Sequence, residues 1–424
     1  MDWLNRYHLR KFFRSSFWVM PTAALLLAIV VARFLRWMDE FHSMRFLGLT
    51  PEGAKAVLSA FVSSMLTFVV VVASSLLLVV QMVSASLTPR IIAPAFEHPL
   101  IRLSLSVFIF AYTLSVAVLA RITDQVPQFA VAITIICNIV SLILFMHFVG
   151  SLGMGLRPIQ MMAASTKKGR TVIYDIYPRP YDANHAGEEL HVARNLGMVR
   201  RELQYEGSSR VLLAFDSAGL VSLAQKHEAV IELVPMVGDP VAVGEPLFRM
   251  YGSDSIDPRQ LRRMVALGPE RTLEQDPRLA FRIILDIACK ALSPAINDPT
   301  TAVLAIDQIH RLFRWVGGRQ LLSGALKDST GSVRLVFPTP SWEDFVWLGT
   351  AELRQYGADS IRVCQRMHAM FEHLIQNLPQ ARRSVLERHL RLLDQTVERK
   401  FCEPEDRERI RTGTLGRNGS SADA

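Results

Sequence analysis

Four apolar runs of about twenty residues each, at 17–37, 59–83, 100–120 and 129–149, dominate the first part of the chain. About 20 mainly apolar residues is the helix length that crosses a hydrocarbon core, where every backbone N–H and C=O must be paired within the segment. The sequence therefore predicts a membrane domain over residues 1–156 built from four transmembrane helices. Trp18 and Trp37 bracket the first run as interface anchors. That run has the basic start of a signal peptide, but no small-x-small cleavage site follows it and three more runs do, so it is read as a retained helix.

After Arg157 the character changes: charged residues crowd the sequence and long apolar runs cease. At 424 residues the chain exceeds one hydrophobic core, and the asymmetry separates a lipid-facing part from a water-facing part. The formal charge of +8 is spread through helical patterns without a basic run interleaved with aromatics, which argues against a nucleic-acid partner. Cys137, Cys289, Cys364 and Cys402 lie far apart, so neither a CxxC zinc site nor a disulfide framework is supported. Such usage suits a reducing compartment.

Orientation follows from lysine and arginine. Arg6, Arg10, Lys11 and Arg14 precede the first run, Arg90 and Arg102 flank the second connection, and Arg157, Lys167, Lys168 and Arg170 follow the fourth run. The opposite face carries Arg36, Arg45, Lys55 and Arg121. Positive charge marks the cytoplasmic side, so both termini are expected in the cytoplasm, with the chain in a bacterial inner membrane.

The second run is polar along one side. At about 100° per residue, Ser59, Ser63, Thr67, Ser74, Gln81, Ser84 and Thr88 share one arc, interrupted by Leu66, Val70 and Leu77. Two readings stand: a helix-packing face, where small hydroxylated residues let backbones approach, or the wall of a water-filled path with the three apolar residues as constrictions. His147 lies off the face of the fourth run that carries Thr134, Asn138 and Ser141, and is read as a packing residue near the interface rather than a proton relay.

The remainder is expected to be soluble. Residues 157–256 carry a polar stretch at 177–210 with irregular structure, then short apolar strand signals at 211–215, 219–221, 229–234 and 246–250. Residues 237–247 resemble the Gly-x-x-Val-x-x-Gly-x-x-Leu hairpin of biotinyl/lipoyl-type modules, and are read as a small structural β-module. From residue 257 to 411 the pattern is helical. Asp257-Pro258, Asp276-Pro277 and Asp298-Pro299 each set an N-cap acceptor before a first-turn proline, predicting three helix starts. A strand at 333–337 precedes helices near 342–356, 359–378 and 380–401, and a tail at 412–424 is expected to be disordered. The predicted class is thus membrane α-helical with four transmembrane helices, followed by an α+β soluble domain with a small β-module and a helical C-terminal part.

Ala291-Leu292-Ser293-Pro294-Ala295-Ile296-Asn297-Asp298-Pro299-Thr300-Thr301-Ala302 closely resembles the signature of a bacterial family of predicted membrane proteins, domain of unknown function 2254. Ser86-Leu87-Thr88-Pro89-Arg90 resembles that family's connection after the second span, with Thr88 where serine is common. The resemblance runs to about Phe401 and implies membership without implying an activity.

Read from its residues alone, that motif is a tight corner. Pro294 forbids continuation of one helix and Asp298-Pro299 starts the next. Ser293, Asn297 and Asp298 either cap and brace the corner or form a polar cluster for a cation or small polar ligand. His368 and His373 are five apart, which misses the spacing that aligns two imidazoles on one metal, and they are read as solvated or interfacial. There is no phosphate-binding glycine loop, nucleophile elbow, zinc HExxH motif or kinase set, so no catalytic residue, metal or cofactor is assigned and no enzyme is expected. Two function classes follow. One is a homo-oligomeric channel or transport protein gated by its cytoplasmic domain; the other is a membrane-anchored sensor or scaffold. The expected partners are the lipid bilayer and further copies of the chain.

Overall fold

The computed structural model describes every residue except 1, 17, 42–47, 87–98, 124–125, 156–157, 184–195, 254 and 413–424. The expected tail at 412–424 therefore lies almost wholly outside the described residues, as does the Leu87-Thr88-Pro89-Arg90 connection. The chain divides into two compact units: residues 9–161, and residues 1–8 together with 162–424. A first helix, α1 (Trp3–Ser15), precedes the spans.

The membrane unit holds α2 (Val19–Phe41), α3 (Pro51–Ser86), α4 (Pro99–Leu119) and α5 (Gln128–Gly155). Each is long and apolar enough to cross a bilayer. α3 begins well before the predicted 59–83 run: its 36 residues measure about 54 Å at 1.5 Å per residue, more than a core of about 30 Å requires. Pro51 starts it because a proline needs no N–H partner in the first turn.

Helix α4 is the central span. Leu105, Phe108, Ala111, Leu114 and Val118, at helical spacing, are buried, and small Ser104 and Ser115 are buried beside them. Small residues let neighbouring backbones approach where water supplies no drive between helices. Phe68, Phe108 and Phe145 form an aromatic knot, with the Phe68 and Phe145 rings stacked at 4.1 Å.

Polar side chains tie the ends. Both carboxylate oxygens of Asp39 at the end of α2 accept from the first amides of α5, Phe129 N at 3.1 Å and Ala130 N at 3.2 Å. Those amides have no partner inside their own helix, so the carboxylate serves as a cap supplied from another span. Arg121 Nη1 donates to Ala32 O at 2.7 Å.

The soluble unit follows as α6 (Pro158–Ile176), β1 (Val199–Gln204), β2 (Arg210–Phe215), α7 (Ser217–Lys226), β3 (Val230–Leu233), β4 (Pro240–Val241), β5 (Pro246–Tyr251), α8 (Pro258–Arg262) and β6 (Val265–Gly268). Then come α9 (Pro277–Ala291), α10 (Pro299–Gly317), β7 (Ala325–Lys327), β8 (Val333–Val336), α11 (Trp342–Tyr356), α12 (Ile361–Asn377), α13 (Gln380–Lys400) and α14 (Pro404–Thr412). A five-stranded sheet runs β1-β5-β3-β8-β7, antiparallel except for the β3/β8 pair, and a three-stranded antiparallel sheet runs β4-β2-β6. One apolar core lies among these strands and α7, centred on Leu212, Leu220, Ile231, Phe248 and Leu335.

Two sequence expectations are corrected here. Gly219-Leu220-Val221, read as a strand, lies in α7, whose start is fixed by Asp216 Oδ1 accepting from Gly219 N at 3.0 Å. A local cap outweighs three apolar residues. The stretch 177–210, read as irregular, contains β1, whose exposed side gives it a polar sequence.

The three Asp-Pro sites expected to start helices all do, while a fourth, Asp239-Pro240, enters β4. Asp257 accepts from Arg259 N, Asp276 from Leu279 N and Asp298 from Thr300 and Thr301 N. In the helical part, Phe281 lies 5.1 Å from Phe313 and 5.5 Å from Phe345, joining α9, α10 and α11.

Candidate functional site

The corner between α9 and α10 brings Ser293, Asn297 and Asp298 together, using the side chains of Ser293 and Asp298 and the backbone of Asn297 locally. Ser293 Oγ donates to Lys290 O at 2.7 Å, and its carbonyl accepts from Asn297 N at 2.9 Å. Asn297 turns the chain with φ +47°, a left-handed conformation that asparagine tolerates better than most residues. Asp298 accepts from Thr300 N at 3.0 Å, Thr301 N at 3.1 Å and Thr301 Oγ1 at 2.5 Å. The Thr301 hydroxyl and these amides hold the Asp298 carboxyl below the usual carboxylate range. Each of the three residues takes part in closing the corner, Ser293 and Asp298 through their side chains and Asn297 through its backbone.

On α3, Ser59, Ser63, Thr67, Ser74 and Gln81 are all exposed. Leu66, Val70 and Leu77, between them, are 52%, 55% and 66% exposed. The opposite side, Ala54, Leu58, Met65, Val72 and Leu76, is buried within the membrane unit. The polar arc therefore does not pack against the chain's own spans. Thr67 Oγ1 donates to Ser63 O at 3.0 Å, which satisfies one hydroxyl inside the helix. The Ser84 side chain and all of Thr88 lie outside the described residues.

Polar side chains of α4 and α5 also meet inside the membrane unit. Asn138 Nδ2 donates to Ser115 Oγ at 3.0 Å and to Thr134 O at 2.8 Å, and Thr134 and Ser141 are buried on the same face of α5. His147 is exposed on that helix.

In the soluble unit a cavity of about 380 Å³ opens where the β-module meets the helical part. Asp175 in the last turn of α6 and Tyr177 just after it, Phe215 at the end of β2 and Phe337 just after β8, Glu274 in the loop before α9 and Arg278 in its first turn line it. Local contacts fix its walls. Gln275 Nε2 donates to Phe215 O at 3.3 Å while its Oε1 accepts from Phe215 N at 3.1 Å. Asp276, buried at the cap of α9, accepts from Arg271 Nη2 at 2.6 Å and Nε at 2.9 Å; burial pushes its carboxyl up and the guanidinium opposes that shift. Gly238, at φ +95°, passes so close that a Cβ there would lie 2.5 Å from Asp276 Oδ2.

Sequence reasoning misses one polar cluster, because its members are distant in the chain. His310 on α10 and His373 on α12 share a hydrogen bond, Nε2 to Nδ1 at 3.0 Å. Arg366 Nη2 lies 3.0 Å from His310 Nδ1 and Arg366 Nε donates to Asp307 Oδ1 at 2.5 Å. Arginine only donates, so His310 Nδ1 accepts, its Nε2 carries the proton, and His373 Nδ1 accepts in turn. His368, expected to be solvated or interfacial, is buried, with Nδ1 3.6 Å from Glu372 and Nε2 3.6 Å from Asp394. Among the described residues no group of three or more His, Cys, Asp or Glu side chains is arranged to hold a metal ion.

Comparison with known proteins adds a family and two sets of relatives. The family described as predicted membrane protein (DUF2254) matches residues 14–373. An uncharacterized protein of Mycobacterium bovis is 24% identical over 417 residues, covering 93% of this chain and 79% of its own length. An uncharacterized protein of Mycobacterium tuberculosis matches with the same identity and coverage. No solved structure matches.

Proposed function

Given that the chain belongs to the DUF2254 family of predicted membrane proteins, we propose that it is a homo-oligomeric channel or transport protein of the bacterial inner membrane, with α3 lining the path and the soluble unit as its gate. The observation that carries this reading is the outward polar arc of α3. Five described polar residues of that arc are exposed on a helix whose other side is buried, so the chain's own spans leave a hydroxyl-rich face to its surroundings. Acyl chains are a poor partner for such a face, whereas a further copy of the chain or a water-filled path between copies satisfies it. Leu66, Val70 and Leu77 then act as apolar constrictions. Both termini are cytoplasmic in this arrangement, following the lysine and arginine distribution. The chain is not an enzyme in this reading and binds no nucleic acid; its activity is passage of a solute through the membrane.

The intrahelical hydrogen bond from Thr67 to Ser63, and that from Ser64 Oγ to Ala60 O at 2.8 Å, favour a second reading. Hydroxyls satisfied within their own helix tolerate lipid, and the spans are then an anchor for a sensor or scaffold. Reconstitution into liposomes with ion and solute flux, together with mass measurement in detergent, separates the two. Single cysteines at Ser63, Thr67 and Ser74 should react with a water-soluble thiol reagent, and Leu66→Ser or Val70→Ser should raise basal leak. A monomeric mass, no flux and protection at all three positions would leave the anchor.

A further inference from the structure

The cavity of the soluble unit has a chemical character that is independent of the membrane path. Its volume of about 380 Å³ suits a small molecule, and its walls combine a large apolar surface with a few charged groups, the composition of a ligand site. Phe215 and Phe337 line it as an aromatic pair with ring centroids 5.0 Å apart, and the buried Tyr177 stands on the α6 side. Aromatic faces attract cations through their quadrupoles.

The charges agree with the aromatic walls. Asp175, Glu274 and Asp276 line the cavity against Arg278 alone. Two of these four are already engaged. Asp276 is paired with Arg271, and Arg278 Nη2 is held by Val237 O at 3.3 Å and Asp239 Oδ1 at 3.4 Å. Asp175 and Glu274 are exposed and, among the described residues, form no ion pair; Glu274 has the half-buried Tyr7 phenol of α1 beside it, a neutral partner that leaves the carboxylate its charge. Asp175 also lies in the last turn of α6, where the unpaired helix carbonyls carry partial negative charge. Two carboxylates at the mouth, a helix C-terminus and aromatic walls all favour the same occupant.

We propose that this cavity binds a small organic cation: an ammonium or amidinium group carried on an apolar body, with the charge at Asp175 and Glu274 and the body against Phe215 and Phe337. An anion of the same shape meets two carboxylates and no uncommitted arginine. A neutral analogue gains the apolar contact and loses the charge.

The test uses the full chain in detergent, titrated calorimetrically with phenethylammonium, benzamidinium and tetrapropylammonium, with 3-phenylpropionate and 2-phenylethanol as the anionic and neutral analogues of the first. The expected result is saturable binding of at least one cation, about tenfold tighter than the neutral analogue and with no measurable binding of the anion, tenfold being the effect of about 1.4 kcal/mol. Glu274→Gln and Asp175→Asn should each weaken that cation several-fold. Both positions are exposed, so melting temperature should hold, and Ser217→Phe, which fills the cavity from the start of α7, should abolish binding. The proposal is overturned if none of the cations binds saturably at millimolar concentration, if the anion binds as well as the cation, or if the folded variants bind as tightly as the parent. Absence of any flux from the reconstituted chain, with cation binding intact, would leave this inference standing while removing the channel.

Discussion

His310 Nε2 donates to His373 Nδ1 across 3.0 Å, linking α10 to α12, and the direction of that bond is set by Arg366 on the other ring nitrogen. The pair works only with both rings neutral at the shared edge. Burial, then the Arg366 charge, then His373, Arg314 and Arg311, depress His310 to about 3, and burial with Arg314 and Arg366 depresses His373.

The sign of the pH dependence follows. Below its ordinary value of about 6.5 the unfolded histidine takes up a proton that the folded His310 refuses, so unfolding gains protons and stability falls as pH falls. The contribution is present above about 6.5 and is lost progressively toward about 3. Thermal unfolding of the full chain in detergent should show a falling melting temperature from pH 7 to pH 4.5. His310→Gln should start lower and fall less steeply; an unchanged slope would remove His310 as the group responsible.

The corner behaves as a brace if its polar groups are fully spent on it. Asp298→Ala should cost about 0.5–2 kcal/mol, the usual loss for an N-cap, and Asp298→Asn should cost much less. Asn297→Gly should be tolerated, since glycine adopts φ +47° freely, while Asn297→Val should destabilise by about 1–2 kcal/mol. Chemical denaturation reads all four. Unchanged stability in Asp298→Asn with lost flux or ligand binding would show a role beyond capping.

Asp39 caps α5 from α2 with both carboxylate oxygens. Removing it leaves two helix amides without their partner near the membrane surface, so Asp39→Ala should lower stability in detergent by about 1–2 kcal/mol, with Asp39→Asn retaining part of it. Thermal unfolding followed by far-UV circular dichroism is the measurement. Equal losses in both variants would mean that the charge rather than the cap geometry matters.

Gly238 packs against Asp276, a residue of the cavity wall, where no side chain fits. Gly238→Ala places a Cβ 2.5 Å from Asp276 Oδ2 and 2.8 Å from Arg271 Nη2 at φ +95°, so the turn must move or strain. A loss of about 1–3 kcal/mol is expected, accompanied by weaker cation binding as the start of α9 shifts. A melting temperature equal to that of the parent would contradict the close approach.

The sequence by itself determined what depends on neighbours along the chain. Four runs of lipid-crossing length can satisfy their backbone only as helices, and at Asp257-Pro258, Asp276-Pro277 and Asp298-Pro299 a side-chain acceptor followed by a residue without an N–H starts a helix, whereas Asp239-Pro240, which no helical pattern follows, enters β4. The corner at Ser293, Asn297 and Asp298 was legible for the same reason. Tertiary structure alone decided which way faces turn and which distant groups meet. The polar arc of α3 is visible as periodicity, but its exposure depends on α4 and α5 covering the opposite side. His310 and His373 are 63 residues apart, Asp39 and Phe129 90 apart, and the cavity draws on residues from 175 to 340, so no local pattern encodes them. Short-range hydrogen bonding writes itself into spacing. Long-range packing is settled only when apolar faces find one another and carry their polar residues with them.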